Sequence, residues 1–456
     1  MSHLSLRAVL ITVAVFLLAS VPAFSDSQVR TVRLSYIEGS VQIARGSAQQ
    51  FEKAIVNLPI TQGTQLRTAQ DGRAEVEFEN GSTIRLAPNS AIEFPQLVLR
   101  DSGGKASSVE VRKGIIYVDF SAEKNDEFVV QFGRGNAEEK IELARSAHFR
   151  VGASDDGASV AVFKGDVQIE GPSGTLQVKK NQTGNFDFAN DGHATLAKEI
   201  DEQPLDAWDK QQTDYHVRYA SKSYQSYSPY AYGTTDLAYY GNFFNAPGYG
   251  MMWQPYLVGV GWDPFMDGAW AFSPGWGFGW VSAYPWGWTP YHYGTWVFLP
   301  SYGWAWQPGG TWTGWYAQPR IMNAPRGFTV PQTPTGTRTL IVNRGTGVTT
   351  GSNNTVSGNK VVIRNNSAGL GVPRGQVNNL AKVSQQAQTR GSVTERVHTA
   401  PASAPPPMMT SSGRAEGSRG SSPSRGASQP MPRSSSPSPS PSSHPAPSMG
   451  GGRPPR

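Results

Sequence analysis

Along residues 26–198, apolar and polar side chains alternate with period two. In Arg73-Ala74-Glu75-Val76-Glu77-Phe78-Glu79, small or apolar side chains share one face and charges the other. Asn80-Gly81 follows, then Ile84-Arg85-Leu86; Asn and Gly tolerate the positive φ that a tight hairpin turn needs. Similar strands are predicted at Val29–Ile43, Val109–Phe120, Phe128–Phe132, His148–Val151, Val160–Ile169 and Thr175–Lys179. The segment also echoes itself. Ile37-Glu38-Gly39-Ser40-Val41-Gln42-Ile43 matches Phe163-Lys164-Gly165-Asp166-Val167-Gln168-Ile169, and Lys113-Gly114-Ile115-Ile116-Tyr117-Val118 is a looser copy. Each sets a charged residue and Gly at a turn or bulge before an alternating strand. Reuse of a common turn is one reading; a roll or solenoid of stacked short strands is the other. The fold class expected is mainly β, a roll, solenoid or sandwich.

The period changes at residues 199–232. Leu205, Trp208, Gln212, Tyr215 and Tyr219 recur at helical spacing, and Pro204 suits a first turn. A short helix docking by Trp208 is expected, then a Ser/Tyr-rich linker.

Residues 233–318 hold twelve of the thirteen Trp. One unit runs Gly268-x-Trp270-x3-Pro274-x2-Gly277-Phe278-x-Trp280 and recurs 26 residues later as Gly294-x-Trp296-x3-Pro300-x2-Gly303-Trp304-x-Trp306. A weaker copy, Gly241 to Trp253, precedes it by 27 residues. Each unit predicts a hairpin with alternate aromatics on both strands, and a repeat at this period implies stacked modules. Leu, Ile and Val are scarce here, so the core must be largely aromatic, with Gly letting rings approach the backbone. The alternative is that some rings are exposed. Trp262, Trp270, Trp288, Tyr291, Trp296 and Trp306 are the candidate ligand-binding aromatics, able to stack on sugar rings or proline-rich peptides.

The two ends differ from this middle. Arg7, the apolar stretch beginning at Ala8, and small residues bracketing cleavage points after Ala23 or after Ser25 have the order of a cleavable signal peptide over residues 1–25. Periplasmic or secreted location follows, with no membrane span after cleavage; an uncleaved inner-membrane anchor is the alternative. Residues 319–456 are rich in Pro, Ser, Gly, Asn and Arg and are expected to be disordered, with isolated strands at segments such as Thr339–Val342 and Lys360–Ile363. From Arg320 onward there are 16 Lys/Arg against Glu395 and Glu416, which leaves 24 basic and 32 acidic residues before it. The tail is therefore strongly basic and suited to anionic envelope polymers; export argues against nucleic acid. With no cysteine, disulfides and thiol chemistry are excluded.

No catalytic constellation emerges. His148, His193, His216 and His292 lack metal-ligand spacing, and His292 in a repeat join reads as structural. Asp263 and Asp267 share a loop without the other ligands of a calcium site. No phosphate-binding glycine loop or serine nucleophile elbow is found, and no cofactor is implied.

Residues 30–185 resemble the FecR family of bacterial periplasmic signalling domains. The resemblance rests on Gly39-Ser40-Val41, Leu58-Pro59-Ile60 with Gly63, Leu66-Arg67-Thr68, Arg73 to Ser82, Ile84 to Ser90, Gly114 to Val118, Phe149-Arg150-Val151 and Gly165-Asp166-Val167. The aromatic segment is similar to a Trp/Tyr-rich domain of unknown function found after FecR-like domains in exported bacterial proteins; Pro247 to Gly250, Trp253-Gln254-Pro255 and Trp286 to Trp296 carry that match. In signalling members of the family, a cytoplasmic arm controls a sigma factor and the periplasmic domain senses a receptor. Only about seven residues precede the apolar stretch here, so no such arm is expected. The resemblance implies fold and location and no catalytic residue. The expected function is that of an exported, non-enzymatic envelope protein that binds a protein partner; the alternative is a polysaccharide- or peptidoglycan-associated module that uses exposed Trp rings.

Overall fold

The computed structural model describes residues 30–45, 50–220, 222–273, 277–312, 319–336, 338–344 and 355–397. The expected signal peptide, Trp276, Trp315 and residues 398–456 lie outside the described residues. The chain divides into a unit over Met1–Ala404 and a second over Pro405–Arg456, and every described residue belongs to the first.

Seventeen strands build the N-terminal domain as two facing sheets. One runs through Pro59–Ile60, Val32–Glu38, Arg73–Glu77, Thr83–Leu86, the second half of Lys105–Phe120, Ala147–Ala153, Gly157–Lys164, Thr183–Asp187 and His193–Ala197. The other runs through Glu52–Lys53, Val41–Ala44, Gln65–Thr68, Ala91–Leu99, the first half of Lys105–Phe120, Glu127–Phe132, Glu139–Leu143, Asp166–Gly171 and Gly174–Lys179. Val32, Leu34, Val76, Ile84 and Val118 of the first meet Ile43, Leu66, Phe94, Val109 and Val130 of the second in one aliphatic core.

The internal echo marks the corners of this roll. Val32–Glu38 and Gly157–Lys164 lie in the first sheet, and the strands that follow them, Val41–Ala44 and Asp166–Gly171, lie in the second. Gly39 (φ 65°) and Gly165 (φ 79°) stand at the two steps. Gly114 (φ 88°) stands where Lys105–Phe120 passes between sheets in the opposite direction. A side chain is barred there twice over, by φ and because a Cβ on Gly39 would fall 2.1 Å from the carbonyl oxygen of Asp71.

The predicted helix, α1, spans Asp206–Tyr219. Trp208 docks it beside Tyr36, Tyr117, Ala87 and Leu205, and the Arg150 guanidinium binds Asp206 in its first turn. The stretch read as linker also holds α2, Lys222–Gln225, and leads into α3, Thr234–Tyr240.

All three aromatic repeats form hairpins: Gly241–Ala246 with Gly250–Pro255, Asp267–Ser273 with Gly277–Ser282, and Thr295–Leu299 with Gly303–Gln307. The repeated aromatics are direct cross-strand partners, Phe243 to Trp253, Trp270 to Trp280 and Trp296 to Trp306. The leading glycine of each repeat lies against the last Trp. A Cβ on Gly241 or Gly268 would fall 2.4 Å from the indole of Trp253 or Trp280, and one on Gly294 2.5 Å from that of Trp306. The turn glycines, Gly250, Gly277 and Gly303, all take φ near 80°. Stacking is less regular than the repeat suggests. The first and third hairpins share a sheet through Trp253 and Trp306, whereas the second pairs with Leu340–Asn343. A short helix, α4 (Thr289–His292), precedes the third hairpin.

Order extends well past residue 318, which corrects the expectation of a disordered tail from residue 319. Arg320–Met322 adds a parallel strand beside Thr295–Leu299. Thr355–Ser357, Lys360–Arg364 and Ser392–Arg396 form a three-stranded sheet, with helix α5 (Leu380–Arg390) between its last two strands. The two strands foreseen near residues 340 and 360 exist, and neither is isolated. Val361, Ile363, Leu370, Val372, Val377, Leu380 and Val383 are thinly spaced in sequence, yet all join the core of Trp253, Trp262, Trp286 and Trp296. Burial against those rings offsets the chain entropy that their local composition cannot.

Candidate functional site

The six candidate aromatics are core residues, as the scarcity of Leu, Ile and Val favours, and the alternative of an exposed binding row is corrected. Trp262 is 6% exposed, Trp270 2%, Trp288 1%, Tyr291 2%, and Trp296 and Trp306 0%. Trp262 donates to the Tyr284 hydroxyl at 3.0 Å, Trp306 to the Tyr293 carbonyl at 2.6 Å, and Tyr291 to the Pro264 carbonyl. Trp270 meets Trp280 edge-on, Trp296 packs on Trp262 and Trp286, and Trp288 lies against His292 and Tyr232. With few aliphatics available, the rings are spent on the interior. Asp263 is paired with Arg344 and Asp267 accepts from Tyr284, and among the described residues no group of three or more His, Asp or Glu could hold a metal ion.

The constellation that sequence reasoning missed is a buried layer of charge on the outer face of the first sheet. Alternation correctly sets Glu75, Glu77 and Glu79 opposite the apolar core, but that face is not solvated: they are 0%, 1% and 7% exposed. α1, α3, the turn around Tyr284 and residues 366–377 cover it. Glu75 binds Arg85 at 2.8 Å across the hairpin, Arg374 at 2.6 Å and His216 at 3.0 Å, and accepts from Ser35. Arg85 continues to Asp209 on α1 at 2.7 Å, and Asp209 meets His148 at 2.7 Å. Arg33 bridges Glu77 at 3.0 Å and Asp236 of α3 at 2.7 Å. Arg374 donates in two-pronged fashion to Asp236 and lies over the Tyr215 ring, 4.9 Å from its centroid. At the margin Arg30 grips Glu79, again with two prongs.

The electrostatics follow from these partners. Burial opposes ionisation of Glu75, but His216, Arg374 and Arg85 outweigh it and hold the carboxyl well below its ordinary range. Asp236 is lowered against burial by Arg374 and Arg33, and Asp209 by Arg85 and His148. Glu77 is raised, because burial exceeds what Arg33 supplies. The layer is therefore ionised at most positions and held by fixed geometry, an arrangement that is costly to break by removing a single partner.

Two openings flank Arg374. A cavity of about 550 Å³ lies between Tyr36, Arg73, Trp208, Tyr240, Pro285 and Val372; another of about 410 Å³ lies between Lys210, Asp214, Arg218, Tyr219 and Asn378. Gln211, Arg374 and Gln376 line both. The segment around Arg374 thus crosses a cleft whose walls come from the sandwich, α1 and the aromatic domain.

A sequence signal for part of this layer exists: Arg33 and Arg85 alternate with core residues in strands, and Arg85 sits opposite Glu75. Nothing in sequence pairs Arg374 with Glu75.

Among curated proteins, none is significantly similar to this chain. Two crystal structures described as a candidate anti-sigma factor from Parabacteroides distasonis align with 18% identity and a TM-score of 0.27, over 32% of this chain and 63% of theirs, under two thirds of that protein's length. No helix among the described residues is long and apolar enough to cross a membrane. Residues 64–168 match the FecR protein family and residues 234–330 match DUF6600, a family of unknown function: the chain carries a FecR-like domain followed by an aromatic domain of unknown function.

Proposed function

We propose that the protein is an exported, non-enzymatic binding protein of the bacterial envelope, in which the FecR-like sandwich and the aromatic domain act as one interaction body. One observation carries this reading. Arg33 and Glu77 of the sandwich and Asp236 of the aromatic domain form a buried ion-pair chain, so the two domains share an interior. A partner then meets a composite surface, and the cleft beside Arg374, walled by both domains, is a concavity on it. A binding role is favoured over catalysis because His148 and His216 are each paired with a buried carboxylate, Asp209 and Glu75, inside the charge layer. The FecR-like domain and the apolar N-terminal stretch support an envelope location, and the basic tail suits a loose contact with anionic envelope polymers.

Cell fractionation, with sequencing of the mature N-terminus, tests export: the expected product starts at Phe24 or Asp26. A photo-crosslinking residue in place of Gln211, at the cleft rim, tests binding. One discrete protein adduct in the envelope fraction is expected. Cytoplasmic retention, or no adduct from the cleft rim, overturns the reading.

A further inference from the structure

Arg374 occupies a cage whose walls come from distant parts of the chain. Its walls are Ser35, Tyr36 and Glu75 from the sandwich, Tyr215 from α1 and Asp236 from α3. Two carboxylates take the guanidinium nitrogens, the Ser35 carbonyl lies 3.5 Å from Nη2, and the Tyr215 and Tyr36 rings lie 4.9 and 5.9 Å from the guanidinium carbon. A planar fork between aromatic rings and facing carboxylates is how arginine, rather than lysine, is recognised.

The segment that delivers Arg374 is held as a bound peptide is held. Residues 366–379 contain neither helix nor strand. The Val372 and Val377 side chains are buried in the aromatic core, and apart from those of Arg374 the side-chain hydrogen bonds to residues 371–377 reach main chain: the Tyr240 hydroxyl donates to the Val372 carbonyl at 3.0 Å, and the Tyr239 hydroxyl donates to the Pro373 carbonyl at 3.2 Å and accepts from the Val377 N–H at 3.0 Å. A few anchoring side chains, here Val372, Arg374 and Val377, plus main-chain hydrogen bonds are a recurring mode of peptide recognition. The residue after the anchor must be glycine, because a Cβ on Gly375 (φ 68°) would fall 2.6 Å from the Tyr215 ring. Charge points the same way. Without Arg374 the buried layer keeps Arg33, Arg85, His148 and His216 beside Glu75, Glu77, Asp209 and Asp236, and Glu75 and Asp236 each lose a cationic partner at one point, so the vacated site calls for a cation. The cavities of about 550 and 410 Å³ on either side leave room for a longer chain.

We propose that this cage is a receptor for an extended, arginine-bearing peptide of Pro-Arg-Gly character, kept occupied in this chain by its own Arg374. A partner protein engages by presenting such a segment in place of residues 371–377. This deepens the binding-protein reading and rests on it.

The test uses the full chain, wild type and Arg374→Ala. The probe is a labelled peptide reproducing residues 369–379, with a control peptide carrying alanine in place of its arginine. The internal segment competes at a high effective concentration, so R374A should bind the arginine peptide roughly tenfold or more tighter than wild type. The alanine peptide should not bind, and methylguanidinium, but not methylammonium, should raise the melting temperature of R374A. Equal binding by both proteins, or no binding by folded R374A, overturns the proposal. Where R374A does not fold alone, refolding with the peptide is the readout: recovery supports the cage and failure overturns it. The probe is synthetic and needs no envelope, so failure here and failure of the adduct experiment are distinguishable.

Discussion

Glu75 and Arg374 stand 299 positions apart in the chain and meet at 2.6 Å, with Glu75 fully buried and the Arg374 side chain 4% exposed. That contact ties the N-terminal sandwich to a segment that by composition belongs to the tail. It also shares its carboxylate with Arg85 and His216, so one side chain holds a strand, a helix and the distal segment together.

Glu75→Gln should therefore destabilise the protein by about 3–5 kcal/mol, because Arg85 and Arg374 are left buried with too little negative charge. Arg112 offers the contrast: it reaches Glu93 at 2.6 Å but is 48% exposed, and Arg112→Ala should cost about 1 kcal/mol or less. Urea unfolding of both variants checks the difference; equal losses would show the buried layer to be no more than surface pairing.

The extent of the ordered fold gives a second expectation. A chain ending at residue 404 should keep its cooperative unfolding and near-ultraviolet tryptophan signal. A chain ending at residue 318 loses Arg374, the strand paired with Trp270, and the apolar side chains of residues 355–397 that complete the aromatic core. It should lose the near-ultraviolet signal or fail to accumulate. Circular dichroism of the two truncations decides it.

The hairpins were legible because the same glycines and tryptophans recur at matching steps, and each has one local job: the leading glycine clears the indole opposite and the turn glycine supplies positive φ. The sandwich was legible from alternation. What alternation cannot say is what covers a face. Glu75, Glu77 and Arg85 read as a solvated side of a hairpin because their covers, Asp209, Asp236 and Arg374, lie more than a hundred positions away. Likewise Val361, Leu370 and Val377 look too sparse to fold until the aromatic cluster gives them something to bury against. For the tryptophans, the scarcity of Leu, Ile and Val favours core over binding face, and the burial of Trp262, Trp270, Trp288, Trp296 and Trp306 agrees.

The repeat glycines make a sharp pair of substitutions. At Gly268 a Cβ meets the Trp280 ring at 2.4 Å and the Val281 carbonyl oxygen at 2.6 Å, neither of which can yield. Gly268→Ala should cost about 3 kcal/mol through overpacking. At Gly303 nothing lies within 4 Å and only the φ of 78° opposes a side chain, so Gly303→Ala should cost about 1 kcal/mol. Thermal melts that rank the two in the opposite order would sever the link between the repeat and indole packing.

Buried indoles predict an optical result. In a variant with Trp276, Trp312 and Trp315 replaced by phenylalanine, tryptophan emission should be blue-shifted, weakly quenched by acrylamide, and unchanged by added envelope glycans, because Trp262, Trp270, Trp288, Trp296 and Trp306 are all enclosed. A glycan-dependent change in intensity would place at least one ring at the surface.

Acid and alkaline arms of stability should have different owners. Glu75, Asp209 and Asp236 are lowered in the folded state, so the stability they supply is present above the unfolded carboxylate range near pH 4 and is lost as pH falls through their folded values. Glu139 has the opposite sign. It is 2% exposed, and burial pushes its carboxyl up to about 7. Its contribution is complete below the unfolded value near 4 and disappears as pH rises through about 7, where the folded state must ionise a group it has placed out of water. Glu139→Gln cannot ionise, so between pH 5 and 8 its stability should be flatter than that of wild type, and at pH 8 it should be the more stable protein by on the order of 1 kcal/mol. Urea midpoints measured across that range decide it: parallel profiles for the two proteins would mean that Glu139 titrates as it does in the unfolded chain.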